Sequence, residues 1–385
     1  MSVGSAAHFP ERLPVVVVGA GAMGSEWLKM LSASSIAAPV GVVDLDLDLA
    51  NRTVASLGLE GAVVGSSVAD VARRSGARAV INVTVPQAHG VVNEEAMRAG
   101  FPVLCEKPLA PTIAEALRQV AIADLTGELL MVSQSRRYFP HLAVFREAVG
   151  RLGRLAAVSA DFFHEDHEPG FRERMAHPLL VDMSVHHFDQ LRYVAGDEPV
   201  SVRCTSWNPP WSWFDGDAAA TADFELASGA RFAYAGSRCT PGLQTSFNAE
   251  WRVYGENGAA SWDGEQTVGL DADGTLPEAQ DAPEGIAGSL AEFVGALRSG
   301  TTPQNEVRAN VLSLAMVEGA IRSRDLGGER VVLADLIEQS LAQAIAAERS
   351  DDVGELLRSW TSAAVGITTP AWGSTHAPTA SGGAR

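Results

Sequence analysis

Cysteine is almost absent from this 385-residue chain. Its three copies, Cys105, Cys204 and Cys239, lie far apart, show no CxxC spacing and are odd in number. A disulfide framework or a zinc site is therefore not expected, and a reducing, cytoplasmic setting is. Positive charge is scarce too. The 29 lysines and arginines face 47 aspartates and glutamates, for a formal net charge of -18. A chain this acidic is repelled by phosphate backbones, which argues against nucleic-acid partners. A small polar substrate remains open, since a site can be locally positive. No apolar run reaches the roughly 20 residues that span a bilayer, so no membrane partner is expected. The longest run, around LPVVVVGAGAM, is broken by glycines. The opening MSVGSAAHFPERLP has no basic stretch followed by an apolar one, so no secretion signal is expected. No internal repeat is visible.

What is present is a globular composition, with 46% hydrophobic and 20% charged residues. The length is too great for one typical core, so more than one domain is expected. The first third alternates between two kinds of segment. Apolar, β-branched runs at 15–18, 40–44, 61–65, 77–85, 101–105 and 128–134 read as strands. Between them lie helical stretches such as SEWLKMLSA, GVVNEEAMRAG and PTIAEALRQVAIAD. DLANRTVASLG reads as a helix capped by Asp48 and closed at Gly58. Strands alternating with helices predict a parallel α/β sheet with ligands at the carboxyl ends of its strands. A dinucleotide-binding Rossmann domain over 1–134 is the expected unit.

Its first turn carries the sharpest signal. Gly19-Ala20-Gly21-Ala22-Met23-Gly24 is a GxGxxG directly between a strand and a helix. Gly19 permits the tight turn, Gly21 lets backbone approach a pyrophosphate, and Gly24 allows close helix–strand packing. Asp44 ends the second strand 20 residues later, where a carboxylate can accept from an adenosine ribose. It would repel a 2′-phosphate, so NAD is expected ahead of NADP. A merely structural glycine turn beside a solvated Asp is the weaker alternative.

Two loops of this domain stand out. LCEKPLA, residues 104–110, places Lys107 at a strand end, stiffened by Pro108. An ordinary Lys-Pro turn would look the same locally. Thr84-Val85-Pro86 ends the fourth strand, with His89 three residues on. Taken alone, His89 reads as a helix-start or packing histidine ahead of a direct role.

After residue 150 the pattern changes. GRLAAVSADFFHE, PVSVRCTSW, AAATADFELASG, ARFAYAGS and AEWRVYGENG are successive strands joined by Gly-containing turns. They predict an α+β domain with a large, open, mainly antiparallel sheet, over 135–360. Between the first two lies a helix, PLLVDMSVHHFDQLRYVAG, closed at Gly196. Asp182, His186 and Asp189 fall on one stripe of it, at i, i+4 and i+7. Neighbours at that spacing can hydrogen-bond, and a buried carboxylate beside a histidine suits a general base. A solvated polar face is the alternative. His187 points elsewhere and reads as structural.

The strand–GxGxxG–helix start, the Glu106-Lys107-Pro108 tripeptide and Asp182-x-x-x-His186-x-x-Asp189, in this order, resemble the Gfo/Idh/MocA oxidoreductase family over residues 13 to 335. That family includes inositol dehydrogenases and glucose–fructose oxidoreductase. The resemblance implies an NAD(P)-dependent enzyme acting on a secondary alcohol of a cyclic polyol or sugar. It implies Lys107 as catalytic lysine, near nicotinamide and substrate alike, with Asp182 and His186 as the substrate-contacting acid and the acid/base histidine. Glu106, Thr84, Val85, Pro86 and His89 would lie along the dinucleotide with the glycine loop. Arg136 and Arg137 match the segment leading into the second domain, and Arg136 is expected at the substrate. The family often has glycine where Ser184 stands and two prolines where Val85-Pro86 stands, departures that bear on substrate more than on reaction. Some relatives use bound NAD for glycosidic cleavage, and one regulator of this fold binds dinucleotide without turnover; both stay as alternatives.

Other clusters are weighed against bland readings. HEDHE at 164–168 looks like metal ligands but fits a solvated or hydroxyl-binding loop better. WNPPWSWFDGD at 207–217 is read as a subunit contact ahead of an aromatic wall for a sugar. Arg172 and Arg174 are read as surface residues ahead of ligands for an acidic substrate. Two further helices, SLAEFVGALRSG and NVLSLAMVEGAIRSRDLG, precede a closing strand, ERVVL, and a final helix. The small, Gly/Pro-rich segment 361–385 is expected to be disordered. The open sheet leaves a face to bury, so a homo-oligomer, dimer or tetramer, is expected.

Overall fold

The computed structural model describes residues 10–165, 167, 169–368 and 372, which fall into two compact units. The first comprises the chain up to Ser133, then Ser289–Asn310, then the described residues from Ala344 on. The second holds Gln134–Gly288 and Val311–Gln343. The break at Ser133/Gln134 lies one residue from the expected boundary. The single block expected over 135–360 is divided, because two later stretches pack with the first unit.

The first unit opens with β1 (Leu13–Val18), α1 (Ala22–Ala33), β2 (Ala37–Val43), α2 (Leu47–Ser56), β3 (Val63–Gly65) and α3 (Val68–Ser75). It continues with β4 (Ala79–Asn82), α4 (Pro86–Arg98), β5 (Val103–Glu106), α5 (Ile113–Thr126) and β6 (Leu130–Ser133). All six strands pair in parallel, in the order β3-β2-β1-β4-β5-β6. Val15 to Val18 are buried, as a strand covered on both faces requires. Strand order reverses between β1 and β4, which is where such sheets open a crevice for ligands. The helices are bounded by local chemistry. Ser67 and Thr112 cap α3 and α5 through their hydroxyls, and Gly76 and Gly127 close them in the left-handed region. In α2 the cap is Asp46, which accepts from the Leu49 N–H at 2.9 Å. Asp48, expected there, sits inside the first turn, where its charge still favours the helix dipole.

The second unit begins with α6 (Pro140–Gly150), β7 (Leu155–Phe163), α7 (Val185–Ala195), β8 (Pro199–Trp207), β9 (Ala219–Leu226) and β10 (Arg231–Ser237). β11 (Glu250–Gly255), β12 (Gly258–Trp262) and β13 (Val268–Asp271) complete this run. The chain ends with α8 (Gly285–Ser299), α9 (Val307–Asp325), β14 (Val331–Val332), α10 (Leu333–Ala347), α11 (Asp351–Ser359) and α12 (Ala363–Thr368). Eight strands form one sheet, β13-β12-β11-β7-β10-β9-β8-β14, antiparallel except for the β7–β10 pair. Burial alternates along β9, with Ala222 and Phe224 inward and Thr221 and Asp223 exposed. One face is therefore a core and the other is open. The core face receives α7, whose Phe188 meets Phe224 edge-on at 4.9 Å and Tyr234 at 5.2 Å.

Within the first unit, α11 packs on α5, and Val353 and Leu357 are fully buried. Glu348 and Asp352 anchor this segment to Arg118 and Arg98 at 2.7 and 2.8 Å. The disorder expected from 361 is corrected for its first residues. Ala363–Thr368 form α12, with Ala363 and Gly366 buried. Beyond Thr368 the segment lies outside the described residues, Trp372 excepted.

Candidate active site

The first unit gathers the residues expected to bind a dinucleotide at the carboxyl ends of β1, β2, β4 and β5. Gly19 has a φ of +105°, and a Cβ there would sit 2.9 Å from the Val83 carbonyl oxygen. The β1 and β4 loops can thus abut only through glycine. A Cβ on Gly24 would collide with the Gly19 carbonyl, so α1 starts hard against the loop. Gly21 differs: it is the N-cap of α1, no side chain caps it, and a Cβ would meet nothing within 4 Å. Its backbone faces open space at an uncapped helix N-terminus whose first turn carries no acid, which suits a pyrophosphate.

Asp44 is held by backbone. Its Oδ2 accepts from the Ala20 N–H at 2.7 Å and its Oδ1 from the Asp46 N–H at 2.9 Å. A carboxylate has about four acceptor positions, so capacity remains for ribose hydroxyls. Ala20 is itself buried, and its N–H is engaged by Asp44. Ala22 is exposed, and Met23, Leu45 and Val85 are exposed apolar side chains near these strand ends. The loop after β4 is organised by Asn82, which the sequence reading passed over. Asn82 Oδ1 accepts from the Thr84 hydroxyl at 2.7 Å and N–H at 3.2 Å, while its amide donates to Asn93 Oδ1 at 2.8 Å. Pro86 starts α4 at a position that needs no N–H. Together, glycine loop, open helix end and Asp44 carboxylate fit NAD.

Lys107 is half-buried directly after β5. Its backbone N–H donates to Glu106 Oε2 at 3.2 Å, and the Lys107–Pro108 peptide is cis. Glu106 is buried, and its Oε1 accepts from the Trp27 indole N–H at 2.9 Å. Burial pushes the Glu106 carboxyl pKa up, against Trp27 and Lys107, which hold it down. The structure corrects His89 as a cofactor contact. The ring has no exposed surface, and its Nδ1 and Nε2 lie 2.7 and 3.0 Å from the carbonyl oxygens of Pro108 and Thr84. Helix α4 starts early enough to turn His89 inward.

The second unit holds the other candidates. Leu179–Ser184 form a π-helical turn leading into α7. The Ser184 hydroxyl bonds the Leu179 carbonyl at 3.2 Å and the Tyr234 hydroxyl at 3.1 Å. Widened turns of this kind recur at functional sites. This one breaks the regular stripe expected for Asp182, His186 and Asp189. Asp189 is committed elsewhere: Arg137 clamps it at 2.6 and 2.9 Å, and the Ser313 hydroxyl donates at 2.6 Å. Asp182 Oδ2 accepts from Arg172 Nε at 2.8 Å and a terminal nitrogen of Arg238 at 2.7 Å. His186 is buried on the first turn of α7.

Arg172 thus binds Asp182 and is no plain surface residue, while Arg174 is exposed. Arg238, 2% exposed, was missed by sequence reasoning. The signal available was an arginine directly after the apolar strand AYAGS, where burial demands a partner. Arg136 donates to Asn248 Oδ1 at 2.8 Å and lies 5.8 Å from the Phe247 ring centre. Burial pushes its pKa down to about 10, against the pull of Asp182 and Glu265. His187 is structural as expected, with the Tyr234 hydroxyl at 3.1 Å and the Phe247 carbonyl at 3.0 Å. Of HEDHE, His164 packs tilted on Phe247 with centres 4.0 Å apart and His167 meets Glu173 at 2.9 Å; Asp166 and Glu168 lie outside the described residues. In the tryptophan loop, Trp207 and Trp211 are exposed and Trp213 packs on Phe214 and His167.

Comparison with known proteins gives two family matches. Residues 13–134 match an oxidoreductase family described by its NAD-binding Rossmann fold, and residues 147–261 match the GFO/IDH/MocA C-terminal domain. The chain is 29% identical over 280 residues to inositol 2-dehydrogenase 1 of Paenarthrobacter aurescens, covering 67% of this chain and 80% of that one. Its fold is similar to an oxidoreductase from Agrobacterium radiobacter solved with NAD+, L-tartaric acid and magnesium (TM-score 0.76, 18% identity, 84% of this chain and 99% of that one). It is also similar to myo-inositol dehydrogenase from Lactobacillus casei solved with NAD(H) and myo-inositol (TM-score 0.70, 21% identity, 83% and 96%).

Proposed function

This chain belongs to the Gfo/Idh/MocA oxidoreductase family, and on that premise we propose that it oxidises a secondary alcohol of a cyclic polyol or sugar, or runs the reverse reaction, with NAD. The inositol 2-dehydrogenase of P. aurescens supports the substrate class. When bound, NAD supplies the hydride acceptor, and the protein supplies position and field. Gly21 and the N-terminus of α1 hold the pyrophosphate, and Asp44 holds the adenosine ribose. His186 takes the hydroxyl proton as general base. Lys107 donates to the reacting oxygen and stabilises the charge that develops on it. Asp182, positioned by Arg172 and Arg238, contacts a neighbouring substrate hydroxyl. Arg136 is a further substrate contact.

The observation that carries this reading is the division of labour between two stretches. A dinucleotide cradle stands beside Lys107 at one sheet's strand ends, and Asp182 and His186 share one largely buried π/α stretch of the other unit. The test is NADH formation with NAD and a panel of inositols, aldoses and sugar acids, with Lys107→Ala alongside. One substrate class should turn over, and Lys107→Ala should lose about 10²–10⁴-fold in kcat with NAD affinity little changed. A nearly active Lys107→Ala would remove Lys107 from the chemistry. NAD binding with no NADH from any compound would favour glycosidic cleavage or a regulatory role instead. The open face of the eight-stranded sheet and exposed Trp207 and Trp211 support a homo-oligomer, which light scattering on the purified protein would test. Among the described residues, no helix is long and apolar enough to cross a membrane.

A further inference from the structure

His89 has no contact left to give a ligand, yet it touches both loops that matter in the first unit. Its Nδ1 is 2.7 Å from the carbonyl oxygen of Pro108, the residue after Lys107. Its Nε2 is 3.0 Å from the carbonyl oxygen of Thr84, in the loop after β4. The ring is fully buried, so water does not compete for its N–H. The other side of Lys107 is also tied. Its own N–H is held by Glu106 Oε2, and Glu106 is held by Trp27 on α1. The backbone at Lys107 is therefore fixed just before and just after the side chain. The anchors belong to α1 and α4, which both start at dinucleotide-facing loops.

We propose that His89 is a positioning residue: its buried imidazole donates its one N–H to the Pro108 carbonyl and so sets where Lys107 stands relative to the β4 loop. This rests on the role proposed for Lys107. The reason is geometric. Lys107 carries its charge at the end of a four-carbon stem, so where the stem is rooted bears on where the charge stands. A shift of about 1 Å at a reacting group can cost roughly a hundredfold in rate. Both partners of His89 are carbonyl oxygens, which only accept, and a neutral imidazole has a single N–H. Burial and the Lys107 charge hold the ring's pKa below its ordinary value, while the two carbonyls pull it up. The shorter contact is to Pro108, which assigns the single N–H to Nδ1 and the hydrogen bond to the Lys107 side of the ring.

Two substitutions test the Pro108 bond. In His89→Asn the amide nitrogen falls near the position of Nδ1 and keeps it. In His89→Gln it falls near Nε2 and loses it. His89→Gln is expected to lower kcat by about 10–100-fold, with NAD affinity within a few-fold of wild type. His89→Asn is expected to retain more of kcat, with NAD affinity likewise little changed. Hydrogen exchange gives a readout without substrate: amides of 107–112 should exchange faster in His89→Gln than in His89→Asn. Equal losses in both variants, tracking the melting temperature, would reduce His89 to a packing residue and overturn the proposal. Wild-type kcat and exchange in His89→Gln would also overturn it. Lys107→Ala is measured in parallel. If it is inactive while His89→Gln is unaffected, only this inference falls; if Lys107→Ala is active, the role of Lys107 falls and takes this one with it.

Discussion

In the proposed function, a single carboxylate decides which dinucleotide the first unit takes. Asp44 is positioned by two backbone N–H groups and has acceptor capacity to spare. Hydrogen bonds to a charged group contribute about 1.5–3 kcal/mol each, and an added 2′-phosphate would set like charges together. Asp44→Ala is therefore expected to weaken NAD binding about tenfold or more. The ratio of NADP to NAD dissociation constants should fall by at least as much. Tryptophan fluorescence titrations with both dinucleotides measure this, and an unchanged ratio would place the ribose elsewhere. Asp44 was legible because the physics that selects it is local. A strand of fixed rise must end near the glycine turn of its neighbour, and the acid stands at that end. His89 was not legible in the same way, since its two partners are set by where β4 and β5 end in space.

At the scale of an element, α7 shows how much a helix owes to what covers it. Its two adjacent histidines face different surroundings, His186 in the candidate site and His187 in the core. Burial pushes the His187 pKa down to about 3, and the nearby Arg136 charge adds to this against the Phe247 carbonyl. The sign follows directly. Below about pH 6.5 the unfolded chain takes up a proton at this ring and the folded chain does not. Stability that is full above pH 6.5 is then lost on acidification, by up to about 1.4 kcal/mol per pH unit, down to about pH 3. Urea unfolding at pH 7 and pH 5 should show this loss in the wild type and less of it in His187→Gln. Equal loss in both would mean the ring is solvated or charged in the fold. The turn before α7 carries a second lesson. Helical spacing put Asp182, His186 and Asp189 on one stripe, but the π-helical turn at Leu179–Ser184 and the Arg137 clamp on Asp189 undo it.

For the whole molecule, the order of the chain and the division into units do not coincide. The described residues from Ala344 on pack with the first unit, more than two hundred positions from β6 in sequence. Val353 and Leu357 are fully buried there, and Glu348 is 3% exposed beside Arg118. Ending the chain after Gln343 should uncover the α5 face that α11 covers. Burying a Val or Leu side chain contributes about 1.5–3 kcal/mol each, so the loss is a large part of a typical domain's stability. The truncated chain is expected to lose NAD binding or to bind it only at reduced temperature, followed by NAD titration and thermal melts. Unimpaired binding would show that α11 and α12 are dispensable to the first unit. The charged pair Arg98–Asp352 at the surface should matter little by comparison.

The sequence by itself determined the alternation of strands and helices, the glycine turn with its Asp44, and Lys107 at a strand end. Each of these depends on residues within one or two elements, and rise, periodicity and turn chemistry carry such information along the chain. Tertiary structure alone decided that Arg238, 56 residues away, and Arg172 meet on Asp182. It also decided that Asn82 orders the Thr84 loop and that His89 turns inward to Pro108. A buried charge or imidazole has a strong demand for a partner but no preference for one close in sequence, so only the folded packing of separate elements selects which group answers it.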